Sequence, residues 1–236
     1  MNLGSRPGSR RCEAQPHRLR AATNLGLQLA SAALVVATTC ATATHAEDSK
    51  AEVPKQELQA KMAYCEVCHG PNGQGFRGFY PIPRLAGQQP EYFENQLQAF
   101  IEHRRTNNIM FNVAHVLSPA MLTSLAANFK NLEPKPLGGA PKDLMAAGKK
   151  IYEEGIATAE VPACASCHGP QAKGDGQFPR LAGQLNDYVF SKLTNWEKER
   201  GQNPANPDAS AIMAPVAHNL TKPQIEAVAA YVSNLE

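Results

Sequence analysis

Two short stretches hold the residue types most able to do chemistry: Cys164-Ala-Ser-Cys-His168-Gly-Pro170 and, 99 residues earlier, Cys65-Glu-Val-Cys-His69-Gly-Pro71. Two cysteines separated by two residues can form a redox dithiol, half of a zinc site, a small disulfide or the attachment point of a haem. In a helical turn, residues i, i+3 and i+4 share a face, so Cys164, Cys167 and His168 point into one space, as do Cys65, Cys68 and His69. That arrangement suits a porphyrin bonded to both sulfurs with the imidazole on its iron, and C-x-x-C-H is the signature of c-type haem attachment. The rivals explain less. A thioredoxin-like dithiol belongs at the strand-to-helix turn of a βαβ unit, and no such unit is legible in the chain. A zinc centre joining both pairs would knit two repeats together and leave both histidines without a role. A disulfide within C-x-x-C closes too small a loop to stabilise much. The expected cofactors are therefore two covalently bound haem c groups.

An iron held by histidine on one face needs its other face explained. A second protein ligand makes an electron carrier, whereas an open position invites ligands and chemistry. Met110 and Met213 occupy matching segments downstream of the two attachment motifs, in what read as loops before the last helix of each half; His115 and His218 recur five residues later in the same segments. The repeat alone does not choose between thioether and imidazole, although the thioether would hold the iron at the higher potential. The Pro83-Arg84 and Pro179-Arg180 pairs also recur. Each proline carbonyl can accept from the second nitrogen of the ligating imidazole and fix its orientation. Arg84 and Arg180 can pair with haem propionates through charge-assisted hydrogen bonds, with Tyr92 and Tyr188 as weaker candidates for the same role. Met62, Met121 and Met145 have no counterparts and read as packing residues, and His103, beside Arg104 and Arg105 on a charged helix end, is a poor ligand.

The elements that must position these groups follow from the rest of the chain. Residues 1–46 read as a secretory signal peptide: five arginines precede an apolar run from Leu25 to Ala41, and Thr44-His45-Ala46 resembles an A-x-A site, so cleavage is expected near Ala46. The run is short and rich in Ala and Thr for a membrane span, and nothing later is apolar enough to cross a bilayer. Removing the leader takes Cys12 and Cys40 with it and leaves only Cys65, Cys68, Cys164 and Cys167. It also removes five arginines and one glutamate, so the formal charge of +2 becomes −2, and nothing points to nucleic acid as a partner.

The remainder is duplicated. Besides the cysteine motifs, PRLAGQ at Pro83 to Gln88 recurs at Pro179 to Gln184, and IMFNVAHVLS at Ile109 to Ser118 matches IMAPVAHNLT at Ile212 to Thr221. The linker Leu132-Glu-Pro-Lys-Pro-Leu-Gly-Gly-Ala-Pro-Lys142 breaks any helix, which sets the expected domains at residues 47–137 and 138–236. Each is small enough to need a cofactor to complete its core. Both halves read as all-α. Apolar residues recur at helical spacing after Leu122 and from Ile225, behind helix starts at Ser118-Pro119 and Thr221, and a middle helix is predicted over Pro90 to Arg105 and over Asn186 to Arg200.

The order C-x-x-C-H-G, then P-R-L-A-G-Q, then Met-x-x-Val-Ala before a Leu-Ser/Thr helix start, twice over, resembles the dihaem cytochrome c4 family across essentially the whole chain after the leader. The resemblance implies an all-α fold of two tandem class I cytochrome c domains, each wrapped around one covalently attached haem. It implies axial ligation by His69 with Met110 and by His168 with Met213, and propionate contacts at Arg84 and Arg180. It further implies a periplasmic electron carrier, often bound loosely to the membrane, between a quinol-oxidising complex of the bc1 type and a terminal oxidase. Two other functions compete: a cytochrome subunit dedicated to one periplasmic dehydrogenase, and a dihaem peroxidase-like enzyme with one open iron. Two departures from the family pattern stand out. The first half has Asn128 and Phe129 where the second has Tyr231, and the second half has an insert from Gly201 to Ala209.

Overall fold

The computed structural model describes residues 52–200 and 209–236. The leader, its cleavage point near Ala46 and nearly all of the insert before Met213 lie outside the described residues. The first half contains α1 (Lys55–His69), α2 (Pro90–Ile101), α3 (Asn108–Ala114) and α4 (Pro119–Lys130). The second contains α5 (Met145–Glu154), α6 (Ala165–His168), α7 (Asn186–Thr194), α8 (Trp196–Glu199), α9 (Ser210–Asn219) and α10 (Lys222–Ser233). Among the described residues extended pairing is confined to isolated bridges, and no single helix is long and apolar enough to cross a membrane.

The last helix of each half starts where its sequence says it should. Ser118 Oγ accepts from the Met121 amide at 3.2 Å with Pro119 opening α4, and Gln224 Oε1 accepts from the Thr221 amide at 2.8 Å to start α10. Both devices satisfy amides that a helix start leaves without partners. The first middle helix ends earlier than its apolar pattern predicts, and the second reaches its expected end but is broken on the way. After Ile101 the amides of Arg104 and Arg105 both turn back to the Ala99 carbonyl, at 2.9 and 3.0 Å, and His103 takes a left-handed φ of 56°. In the second half Asn195 interrupts the helix between α7 and α8. The physical reason is contact between the halves: Arg105 and Arg200 form an antiparallel bridge, and the Thr106 amide donates to the Glu199 carbonyl at 2.9 Å. Continued helix would carry both segments past each other.

Each half has a main apolar core, and a smaller third cluster gathers Val161, Leu220 and Ile225. Phe93, Leu97, Phe100, Met121, Leu125 and Phe129 form the first, with Met62 packed against it. Tyr152, Val189, Val228, Tyr231 and Val232 anchor the second, with Met145 at its edge. The departure at Asn128 is resolved by a one-residue exchange of roles. Asn128 is exposed and donates to the Ser124 carbonyl, while Phe129 is fully buried and stacks on Phe93 at 5.6 Å. In the second half Tyr231 packs against Tyr152 at 5.4 Å instead. The approach to the cysteines also differs. In the first half α1 runs unbroken into Cys65, Cys68 and His69, whereas α5 stops at Gly155, whose φ of 72° suits glycine, and a loop intervenes before Cys164.

The halves dock through their repeated PRLAGQ segments by a reciprocal clamp. Gln184 Oε1 accepts from the Arg84 amide at 2.8 Å while its Nε2 donates to the Arg84 carbonyl at 3.0 Å. Gln88 does the same to Arg180, at 2.8 and 3.1 Å. Each glutamine thus pairs both backbone groups of an arginine that would otherwise be buried unsatisfied.

Helix α5 crosses α10 at Gly148, where an added Cβ would run into the Ala227 carbonyl oxygen and lie 2.7 Å from Tyr231 Cβ. A mid-helix Gly→Ala change ordinarily stabilises by about 1 kcal/mol. Gly148→Ala is expected to destabilise by about 2 kcal/mol or more, because the helices must separate. Denaturant unfolding checks the sign, and a stabilised variant would refute the close crossing.

Candidate haem sites

Each site begins with a buried imidazole. His69 closes α1 and His168 closes α6, at 8 % and 5 % exposure. A carbonyl can only accept, so His69 Nδ1 donates to the Pro83 carbonyl at 2.8 Å and His168 Nδ1 donates to the Pro179 carbonyl at 3.0 Å. In each neutral ring this leaves Nε2 unprotonated, as a metal ligand must be. Burial holds both imidazoles below their ordinary pKa, against the opposing pull of the proline carbonyls; at His69 the Arg105 charge lowers it further. Burial also pushes the Cys65 and Cys164 thiols up to about 11. A reactive redox dithiol requires the opposite shift. Cys68 and Cys167 lie exposed at the rim. Among the described residues no group of three or more His, Cys, Asp or Glu side chains could hold a metal ion, which leaves the joint zinc centre without a site.

A cavity of about 1060 Å³ runs through both halves. Its lining is mainly apolar and includes Cys65, Cys68, His69 and Met110 from the first half and Cys164, Cys167, His168 and Met213 from the second. The methionines sit in helices, not in the predicted loops. The Asn107 side chain accepts from the Met110 amide at 3.0 Å and so starts α3, and Met213 lies in α9. His115 and His218 are exposed and are not part of the cavity wall. His115 Nδ1 donates back to the Phe111 carbonyl at 3.0 Å, and His218 Nδ1 pairs with Glu197 Oε1 at 2.9 Å.

Arg84 and Arg180 line the same cavity at 4 % and 5 % exposure. Arg84 donates through Nε to the Ala86 carbonyl and through Nη1 to the Pro134 carbonyl, at 3.1 and 2.7 Å. Arg180 Nη1 and Nη2 form a bidentate pair with Glu133, at 3.0 and 2.6 Å. Glu133 Oε1 also lies 3.5 Å from Arg84 Nη2, an ion-pair distance without a hydrogen bond, and Nη2 is buried without one. Burial lowers the Arg84 pKa, and the neighbouring Arg180 charge lowers it further against the pull of Glu133. Two guanidiniums on one exposed carboxylate, with one buried N–H unpaired, fit an additional acidic group such as a propionate. An apolar slot, an imidazole with a free nitrogen, paired thiols and this excess positive charge together fit haem c.

Several residues of the interface were not singled out by sequence reasoning. Gln88 and Gln184 were visible as the last letter of the repeated hexapeptide, but a glutamine on its own carries no signal of what it clamps. Arg104 and Arg105, read as a charged helix end, are buried at 6 % and 9 % exposure.

The family model described as cytochrome c matches this chain twice, over residues 56–133 and 145–236. The class is therefore a protein of two cytochrome c domains. The chain is 39 % identical over 176 residues to cytochrome c4 of Thiocapsa roseopersicina, covering 72 % of this chain and 86 % of that one. It is 34 % identical over 176 residues to a thiosulfate dehydrogenase electron acceptor of Thiomonas intermedia, covering 73 % and 79 %. The solved structure of Acidithiobacillus ferrooxidans cytochrome c4 superposes with a TM-score of 0.64 at 37 % identity, over 73 % of this chain and 99 % of the other. The chain belongs to the dihaem cytochrome c4 family: it carries two covalently bound haem c groups and transfers electrons with redox protein partners.

Glu133→Gln keeps the shape of the tie between the halves but removes the carboxylate that two buried guanidiniums share. Its expected effect is a loss of about 2 kcal/mol in unfolding free energy, measured in denaturant. A variant as stable as the parent would show that the arginines are neutralised elsewhere.

Proposed function

We propose that Cys65 and Cys68 hold one haem and Cys164 and Cys167 the other, with His69 and Met110, and His168 and Met213, as the axial ligand pairs and Arg84 and Arg180 directed at propionates. The domains divide at about residue 138, within the Pro/Gly linker. One observation carries the ligand reading. In each half the cavity wall holds a histidine anchored through Nδ1 and a methionine, while His115 and His218 stand outside it with other partners. When bound, such groups supply one-electron chemistry between ferric and ferrous iron. The protein's own contribution is to keep both imidazoles neutral and oriented and to wall the cavity with apolar side chains, and His69 with Met110 and His168 with Met213 would hold the two groups.

On this reading the protein is an electron carrier rather than an enzyme. It is exported to the periplasm by the leader over residues 1–46 and passes electrons from a quinol-oxidising complex of the bc1 type to a terminal oxidase, in loose association with the membrane. A second reading is supported by the relatives named as thiosulfate dehydrogenase electron acceptors: this chain would then serve one periplasmic dehydrogenase as its dedicated acceptor. Purification from the native periplasm separates the two. A free or loosely membrane-bound monomer supports the shuttle, and a stoichiometric complex with a dehydrogenase supports the dedicated subunit.

Spectroscopy of the ferric holoprotein tests the ligands. Met110→Ala and Met213→Ala should each remove the share of the far-red sulfur-to-iron band that belongs to its own half, while His115→Ala and His218→Ala leave the band intact. High-spin iron at either haem of the parent protein would favour a peroxidase-like enzyme and sink the carrier assignment.

A further inference from the structure

The ends of α2 and α8 meet in a buried polar cluster that neither the cysteine motifs nor PRLAGQ accounts for. Arg105, only 9 % exposed, donates through Nη1 to Gln96 Oε1 at 2.8 Å and through Nη2 to the Tyr188 hydroxyl of the other half at 2.7 Å. Its guanidinium lies 4.6 Å from the centre of the Phe100 ring. Gln96 Oε1 also accepts from Arg200, which stacks over Trp196 at 4.8 Å and is hydrogen-bonded to Tyr92. Arg105, Arg200, Tyr92, Tyr188 and Gln96 all line the cavity that holds the two cysteine motifs.

Among the described residues hydrogen bonds are plentiful around Arg105 but carboxylate counter-charge is scarce: burial works against its charge, and the Tyr188 and Tyr92 hydroxyls together with Glu199 hold its pKa up. The titratable and charged groups that face the cluster are the Tyr188 and Tyr92 phenols, Glu199, Lys192, Arg200 and His69. Glu199, the sole carboxylate among these described groups, is already ion-paired with Lys192. Arg105 and Arg200, with Lys192, hold the Tyr188 phenol below its usual pKa although burial alone would raise it. Phenols and amides satisfy N–H groups without neutralising a cation, and a buried cation without a counter-charge is costly. The PRLAGQ arginines differ in this respect, since Glu133 balances part of their charge.

We propose that Arg105, seated by Gln96 of its own half and Tyr188 of the other, is a further carboxylate-binding residue of the cavity, anchoring a haem propionate. The inference rests on the haem reading above and adds to the role given to Arg84 and Arg180. Because Tyr188 belongs to the second half, the anchor is complete only when the halves are docked. It is a charge-assisted contact, and its consequence is electrostatic: the guanidinium opposes the positive charge gained on oxidation and keeps the propionate ionised.

Redox titration of the holoprotein over about pH 5 to 8 tests this, using Arg105→Gln, Arg105→Lys and Tyr188→Phe. Loss of the guanidinium favours the ferric state, so Arg105→Gln should lower the midpoint potential of one haem. The unpaired, buried carboxylate should then regain its proton more easily, so that potential should rise more steeply than the parent's as pH falls. Arg105→Lys should restore both properties, and Tyr188→Phe, which keeps the cation, should retain the parental slope. Arg105→Met gives the same expectation as glutamine and fills the stem's volume with apolar atoms, which serves if the glutamine variant does not accumulate. Unchanged potential and slope in the neutral variants, or a Tyr188→Phe effect equal to theirs, would overturn the proposal. Haem content and the far-red band are measured on the same samples. A parent lacking two haems defeats the haem reading itself, whereas a parent with two haems whose neutral variants behave normally defeats only the role of Arg105.

Discussion

The hydrogen bond from each buried imidazole to a proline carbonyl, His69 to Pro83 and His168 to Pro179, ties together the other features of the structure. It selects the tautomer that leaves Nε2 unprotonated, and it compensates an N–H that burial would otherwise strand. It also joins two distant pieces of chain, the C-terminal end of the cysteine-bearing helix and the start of the PRLAGQ segment. The residue after each proline is the arginine whose backbone is clamped by the opposite glutamine. Imidazole orientation and the docking of the two halves are therefore mechanically continuous, since the proline carbonyl and the clamped arginine amide belong to one peptide unit.

That continuity explains why so much positive charge is buried where the halves meet. Arg84 and Arg180 reach Glu133 in the linker, and Arg105 and Arg200 converge on Gln96. Neither half alone supplies the partners: Arg180 draws on a linker residue that follows α4, and Arg105 on a phenol from α7. Buried guanidiniums have stable geometry when their hydrogen bonds are complete, yet they retain a field that reaches the cavity. The docked pair can thus hold a polarity around the cofactors that two separate small domains could not.

The two halves are not copies in energetic detail. The first uses Phe129 on Phe93 where the second uses Tyr231 on Tyr152, and Tyr152 spends its hydroxyl on the Gly169 carbonyl at 2.6 Å, directly after His168. The first half enters its cysteine motif along one helix, and the second through a loop closed by the Ile156–Val161 bridge. The Arg105 charge adds to the lowering of the His69 pKa, whereas at His168 burial alone lowers it, against the opposing pull of the Pro179 carbonyl. Such differences of packing and field are means by which two similar sites acquire different properties.

Much was legible from residue order alone. The C-x-x-C-H spacing, the repeated hexapeptide and the helix starts at Ser118 and Thr221 are local signals, because attachment, capping and turn chemistry act over three or four residues. The cofactor, the helical class and the histidine–proline pairing followed from them. Where the first middle helix ends and the second breaks, whether Met110 or His115 faces the cavity, and what Gln88, Gln184 and Arg105 touch were not legible. The relevant partners lie in the other half or on another helix, and periodicity cannot distinguish a methionine aimed inward from a histidine one turn further along. The sequence by itself determined the chemistry at each site, since that chemistry is a property of residue types at short spacing. Only the tertiary structure decided how the sites are joined, because burial of the arginines and the glutamine clamp exist only when two segments nearly a hundred residues apart are brought into contact.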